Sequence, residues 1–114
     1  MPHFIIECSG DLIKDTSKQE VMQLVYEAAE ASELFVKGDI KVRIKVYEDY
    51  IVGGKKDDFI HVFGNIMEGR TAEQKNKLSS SIVKVLKDLF PNSPIVSMNI
   101  RDFERIGYCN KSMV

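Results

Sequence analysis

The chain has 114 residues, 44% apolar and 29% charged, with a formal net charge of −1. That length suits one domain with its own core, spanning residues 1–114, and excludes two independent ones. The near-neutral balance excludes a global field for nucleic acid or an anionic membrane, so any anion-binding site has to be local.

Met1-Pro2-His3-Phe4-Ile5-Ile6-Glu7 opens the chain. Phe4, Ile6 and Cys8 alternate with His3, Ile5 and Glu7, and both sets are largely apolar, which predicts a strand in the middle of a sheet. Pro2 can be read in two ways. It opens a strand, where a missing N–H costs nothing, or, once Met1 is trimmed, it presents a secondary amine that can act as a base. With Met1 in place its nitrogen is an amide and has no basicity.

No long apolar run precedes the acidic Glu7 and Asp11, and no stretch approaches the roughly 18 apolar residues of a membrane span, so a cytoplasmic protein is expected. Cys8 and Cys109 lack CxxC or His spacing and read as small apolar side chains in a reducing compartment, not as a disulfide or zinc site.

Ser9-Gly10-Asp11 ends the first strand. Ser17 followed by Glu20 forms a capping-box pattern, and Val21, Leu24, Val25 and Ala28 recur at helical spacing, predicting a helix from about 17 to 32. From Asp39 to Tyr47, Ile40, Val42, Ile44 and Val46 alternate with Lys41, Arg43 and Lys45. This predicts a strand with one face against helices and one basic face, the latter either functional or a solvated edge protected by lysines. Gly53-Gly54 and the polar residues to Asp58 predict a turn.

Phe59 to Met67 reads as a third strand. Thr71 with Gln74 starts a second helix, whose stripe of Leu78, Ile82, Val85, Leu86 and Leu89 ends before Pro91. Ile95 to Phe103 alternates as a fourth strand, and residues 104–114 form a tail. The order β-α-β-β-α-β is one βαβ unit used twice, at about 2–47 and 58–103. Two right-handed crossovers place both helices on one face of a four-stranded mixed sheet. The other face carries Ile5, Phe59 and Phe63 and is expected to be covered by further copies of the chain.

Each half holds one part of a possible site. The first has Pro2 but no arginine in its strand-to-helix turn. The second has Arg70 just before a helix, where a guanidinium fork can join the positive helix end in holding a carboxylate. The alternative for Arg70 is a surface ion pair with Glu68 or Glu73.

Pro2-His3-Phe4-Ile5-Ile6-Glu7-Cys8-Ser9 resembles the start of the 5-carboxymethyl-2-hydroxymuconate Δ-isomerases. Glu68-Gly69-Arg70-Thr71-Ala72-Glu73-Gln74-Lys75 resembles the strand-to-helix junction of the 4-oxalocrotonate tautomerases. Both families belong to the tautomerase superfamily. The resemblance implies a homotrimer and a cofactor-independent isomerase that shifts a proton in an unsaturated 2-hydroxy di- or tricarboxylate from aromatic-acid breakdown. It implies Pro2 as base and acid, Arg70 on a substrate carboxylate, and a basic residue of the second strand, Lys41 or Arg43, on another oxygen group. The isomerase pattern there is Arg-x-Arg, from which Lys41 departs.

No metal or organic cofactor is implied, nor a nucleic-acid or membrane partner. His3, His61, Asn99 and Tyr108 rank below these residues. Within the superfamily, a phenylpyruvate-type ketonase or a hydratase-dehalogenase would use the same proline. A binding protein similar to macrophage migration inhibitory factor, or a non-catalytic trimer retaining Met1, would share the fold.

Overall fold

In a computed structural model describing residues 1–114, the four alternating runs form strands β1 (His3–Ser9), β2 (Lys41–Tyr47), β3 (Phe59–Met67) and β4 (Ile95–Phe103) of one sheet. The strand order is β2-β1-β3-β4. The β1–β2 and β3–β4 pairs are parallel, and β1 and β3 meet antiparallel at the centre. β1 is central as expected, but only its Phe4, Ile6 and Cys8 face is buried, and the face with His3, Ile5 and Glu7 is half-buried. β2 starts at Lys41 rather than Asp39, because Lys37–Asp39 close a 3-10 turn first.

Helix α1 covers Lys18–Ala31 and helix α2 covers Ala72–Leu89. Both caps use the expected residues to different extents. The Ser17 hydroxyl accepts from the Glu20 N–H, with no return bond from the Glu20 side chain, whereas Thr71 and Gln74 form both bonds of a capping box. Phe4, Ile6, Ile60 and Val62 of the sheet pack with Val21, Val25, Leu78 and Ile82 of the two helices in one buried cluster. Each such side chain contributes about 1.5–3 kcal/mol by leaving water.

The opposite face is set by register. Arg43, Ile5, Phe63 and Asn99 form one row across the four strands, and Lys45, Glu7, His61 and Ser97 the next. His61 bridges Ser97 Oγ at 2.7 Å and Asn99 Oδ1 at 2.6 Å. Ile5, Phe59 and Phe63 are only half-buried, as expected for a sheet face without helices. Gly53 and Gly54 have positive φ and make the two-residue turn between bridged Val52 and Lys55, a conformation that glycine adopts freely. No helix is long and apolar enough to cross a membrane.

The tail, residues 104–114, forms short 3-10 turns at Arg105–Gly107 and Lys111–Met113. The first is held to the β3–α2 junction, which positions part of the site.

Candidate active site

The two parts read separately in the sequence meet at one end of the sheet. Pro2 precedes β1 and is fully buried. Arg70 follows β3 after Gly69, whose φ of 119° lies in the range that disfavours a side chain and turns the chain toward α2. Pro2 and Arg70 line a common cavity of about 210 Å³ with Met1, Phe35, Asp39 and Arg105, with Leu34, Val36 and Met67 completing its walls.

Arg70 has no carboxylate partner. Its Nη1 donates to the Met67 carbonyl at 3.0 Å and its Nη2 to the Leu34 carbonyl at 2.7 Å. The guanidinium also lies 5.0 Å from the centre of the Phe35 ring. Neutral carbonyls and an aromatic face fix its position without cancelling its charge, and its remaining N–H donors are available to an anion. Glu68, one of the acids considered for it, instead accepts the Arg105 backbone N–H at 2.6 Å. The Leu34 carbonyl is presented just after Glu33, which ends α1 at a φ of 60°, a left-handed position usually taken by glycine.

Phe35 packs edge-on against Phe4 with ring centres 5.9 Å apart. The amine of Met1 lies 3.6 Å from Asp39 Oδ2, while the Tyr108 hydroxyl meets the Met1 sulfur. Burial lowers the pKa of that amine. Asp39 opposes the shift, and the positive fields of Lys41 and Arg70 add to it. Burial at this end of the sheet is therefore the main influence favouring the neutral form of the Met1 amine.

Lys41 and Arg43 do not line the cavity. They project from the edge strand β2 on the open face, exposed. Lys41 Nζ donates to the Asp39 carbonyl, and Arg43 Nη1 donates to His3 Nδ1 at 3.2 Å. Their influence on the site is electrostatic: Lys41 acts on the terminal amine, and both act on His3. Tyr108 reaches the terminus, whereas Asn99 sits on the open face bonded to His61.

Phe35, Asp39 and Arg105 line the cavity without having stood out in the sequence. The one local signal was the pairing of an aromatic and an acid just ahead of a basic strand. No group of three or more His, Cys, Asp or Glu side chains is arranged to hold a metal ion.

The sequence pattern of 5-carboxymethyl-2-hydroxymuconate isomerase matches residues 2–109. The chain belongs to that family. It is thus an isomerase of the tautomerase superfamily, built on that superfamily's four-stranded mixed sheet. Among solved structures it is similar to a 5-carboxymethyl-2-hydroxymuconate isomerase from Deinococcus radiodurans R1, with 24% identity, coverage of 96% of this chain and 88% of that one, and a TM-score of 0.83. It is also similar to Pt0534 inactivated by 2-oxo-3-pentynoate, with 17% identity, 98% and 94% coverage and a TM-score of 0.86. A fused 4-OT wild-type symmetric trimer shares 16% identity over 98% and 95% of the two chains, with a TM-score of 0.84. No curated protein sequence matches the chain significantly.

Proposed function

We propose that this isomerase converts unsaturated 2-hydroxy di- or tricarboxylates resembling 5-carboxymethyl-2-hydroxymuconate into conjugated ketones, using the amine of Pro2 after Met1 is removed. The observation that carries the proposal is an uncancelled Arg70 guanidinium in the same cavity as a fully buried Pro2. One group binds a carboxylate, and the other becomes the only amine in the pocket once Met1 leaves.

The chemistry requires one proton to move twice. The neutral Pro2 amine takes the proton of the 2-hydroxyl group. The enolate electrons form the C2 carbonyl and extend the negative charge along the diene, and the protonated amine returns the proton to the far carbon of that system. Nothing is consumed, and the product is an isomer. A positioned base of this type gives on the order of 10²- to 10⁴-fold acceleration. Arg70 holds the carboxylate and stabilises negative charge spreading over the adjacent enolate. Lys41 and Arg43, exposed on the open face outside this cavity, are placed to engage another oxygen group of a substrate bound by a neighbouring subunit.

A homotrimer accompanies this reading. Half-buried Ile5, Phe59 and Phe63 on the helix-free face, with Ile51 and Ile95 left 79% and 40% exposed, supply apolar area for contact between copies. The likeness in fold to a symmetric trimer supports the same arrangement.

Intact mass and steady-state kinetics test the proposal. Protein lacking Met1 should turn over a 2-hydroxydienoate faster than phenylenolpyruvate, and Pro2→Ala should lose far more rate than His3→Ala. Absence of 2-hydroxydienoate turnover by Met1-free protein would reject it. Light scattering should report a trimer, and a monomer would reject the covered face.

A further inference from the structure

A second cation without an ion-pair partner stands at the site. Arg105 lines the cavity that contains Pro2 and Arg70. Leu34, Arg70 and Arg105 also line an adjoining cavity of about 400 Å³, together with Glu33, Glu68 and Gln74. The Arg105 backbone is anchored, since its N–H donates to Glu68 Oε2 and its turn closes through the Tyr108 N–H on the Arg105 carbonyl. Its guanidinium has no hydrogen-bond or ion-pair partner, and its side chain is exposed.

No acid around the two cavities forms an ion pair with it. Asp39 pairs with the Met1 amine for as long as Met1 is present, Glu68 keeps its charge but meets Arg105 through the backbone N–H, and Glu33 is exposed to solvent. Pro2, Phe35 and Met67 line the same cavity as the two arginines and give it apolar surface suited to a flat conjugated chain. An extended molecule with an anionic group at each end fits this distribution of charge better than one with a single anionic end, because a guanidinium left facing nothing gains no fork-like hydrogen bonds.

We infer that Arg105 binds the second carboxylate of the substrate and so selects dicarboxylates over monocarboxylates. The assignment deepens the proposed function and rests on it for the reaction, though not for the binding. It places the second cation in the tail of the same subunit, in addition to any contribution from β2.

Two measurements on Met1-free protein test it. In steady state, Arg105→Ala should raise KM for a 2-hydroxydiene-dioate about 10- to 100-fold with kcat nearly kept, as expected for loss of a charge-assisted hydrogen bond. It should leave kcat/KM for the corresponding 2-hydroxydiene monocarboxylate unchanged, and Arg105→Lys should restore part of the loss. Equal losses on both substrates, or none on either, would overturn the inference.

Calorimetric binding of 2-oxoadipate and 2-oxohexanoate, which lack the diene, separates this inference from the reaction. Wild type should prefer the dicarboxylate, and Arg105→Ala should abolish the preference. If that preference exists without any turnover, the proposed reaction fails and the Arg105 assignment stands. If wild-type protein binds both acids alike, the Arg105 assignment fails whatever the turnover.

Discussion

The carboxylate of Glu68 accepts a 2.6 Å hydrogen bond from the backbone N–H of Arg105, a residue 37 positions further along the chain. Glu68 directly precedes the Gly69-Arg70 turn, so one acid ties the tail to the segment that carries the other arginine. The bond holds the Arg105–Gly107 turn in place as part of the cavity wall.

Replacing Glu68 should therefore weaken substrate binding through Arg105 without touching Arg70. Glu68→Ala is expected to raise KM for a dicarboxylate roughly three- to tenfold, since an exposed bond to a charged acceptor is worth about 1 kcal/mol. Glu68→Gln keeps a carbonyl acceptor and should stay within about twofold of wild type. Steady-state kinetics on the pair decides the matter. If Glu68→Ala matches wild type, the anchor has no bearing on the site.

Phe35 joins stability to function in one ring. It packs edge-on with Phe4 and carries the Arg70 guanidinium on its face. Phe35→Ala should cost about 1–3 kcal/mol in urea unfolding, from lost apolar burial together with the aromatic pair and the cation–π contact. Phe35→Leu should recover most of the stability while kcat/KM remains several-fold low, because leucine fills the space but offers no π face. Full activity in Phe35→Leu would show that the ring merely occupies volume.

Phe35 and Arg105 also mark the limit of what the sequence discloses. The strands, helices and their order are legible because alternation and helical spacing are local, and burial on one side of a sheet enforces them over many residues. Pro2 and Arg70 are legible for a similar reason: one precedes an apolar strand, and the other stands between a strand and a capped helix. Phe35 and Arg105 lie in irregular segments without periodicity, and their placement depends on partners remote in sequence, Phe4 and Glu68. Alternation likewise puts Lys41 and Arg43 on the basic face of β2, but it carries no information about which end of the sheet becomes the cavity.

The two cysteines should differ sharply in reactivity. Cys8 is buried in the core, and desolvation pushes its thiol up to about 11, while Cys109 is exposed in the tail. At pH 8 only roughly one Cys8 in a thousand is a thiolate, and access is blocked as well. A disulfide-exchange reagent should therefore titrate one thiol per chain promptly in the native protein and the second only on unfolding. Prompt reaction of both would contradict the packing of β1 against the helices.

His3 provides a pH dependence of known sign. Burial lowers its pKa below 6.5, and the fields of Lys41 and Arg43 lower it further, with Arg43 donating to Nδ1 and so favouring the neutral ring. A folded-state pKa below the unfolded one means that the unfolded chain binds more protons between the two values. The contribution of His3 to stability is then complete above about pH 6.5 and falls as pH drops toward the folded-state pKa. Urea midpoints from pH 5 to pH 8 should accordingly rise more steeply with pH in wild type than in His3→Gln. Arg43→Gln should shift the imidazole titration, followed by proton NMR, part of the way back toward 6.5, since burial, the larger cause, remains. A native His3 that titrates at or above 6.5 would mean that neither burial nor the β2 cations act on it as the geometry requires.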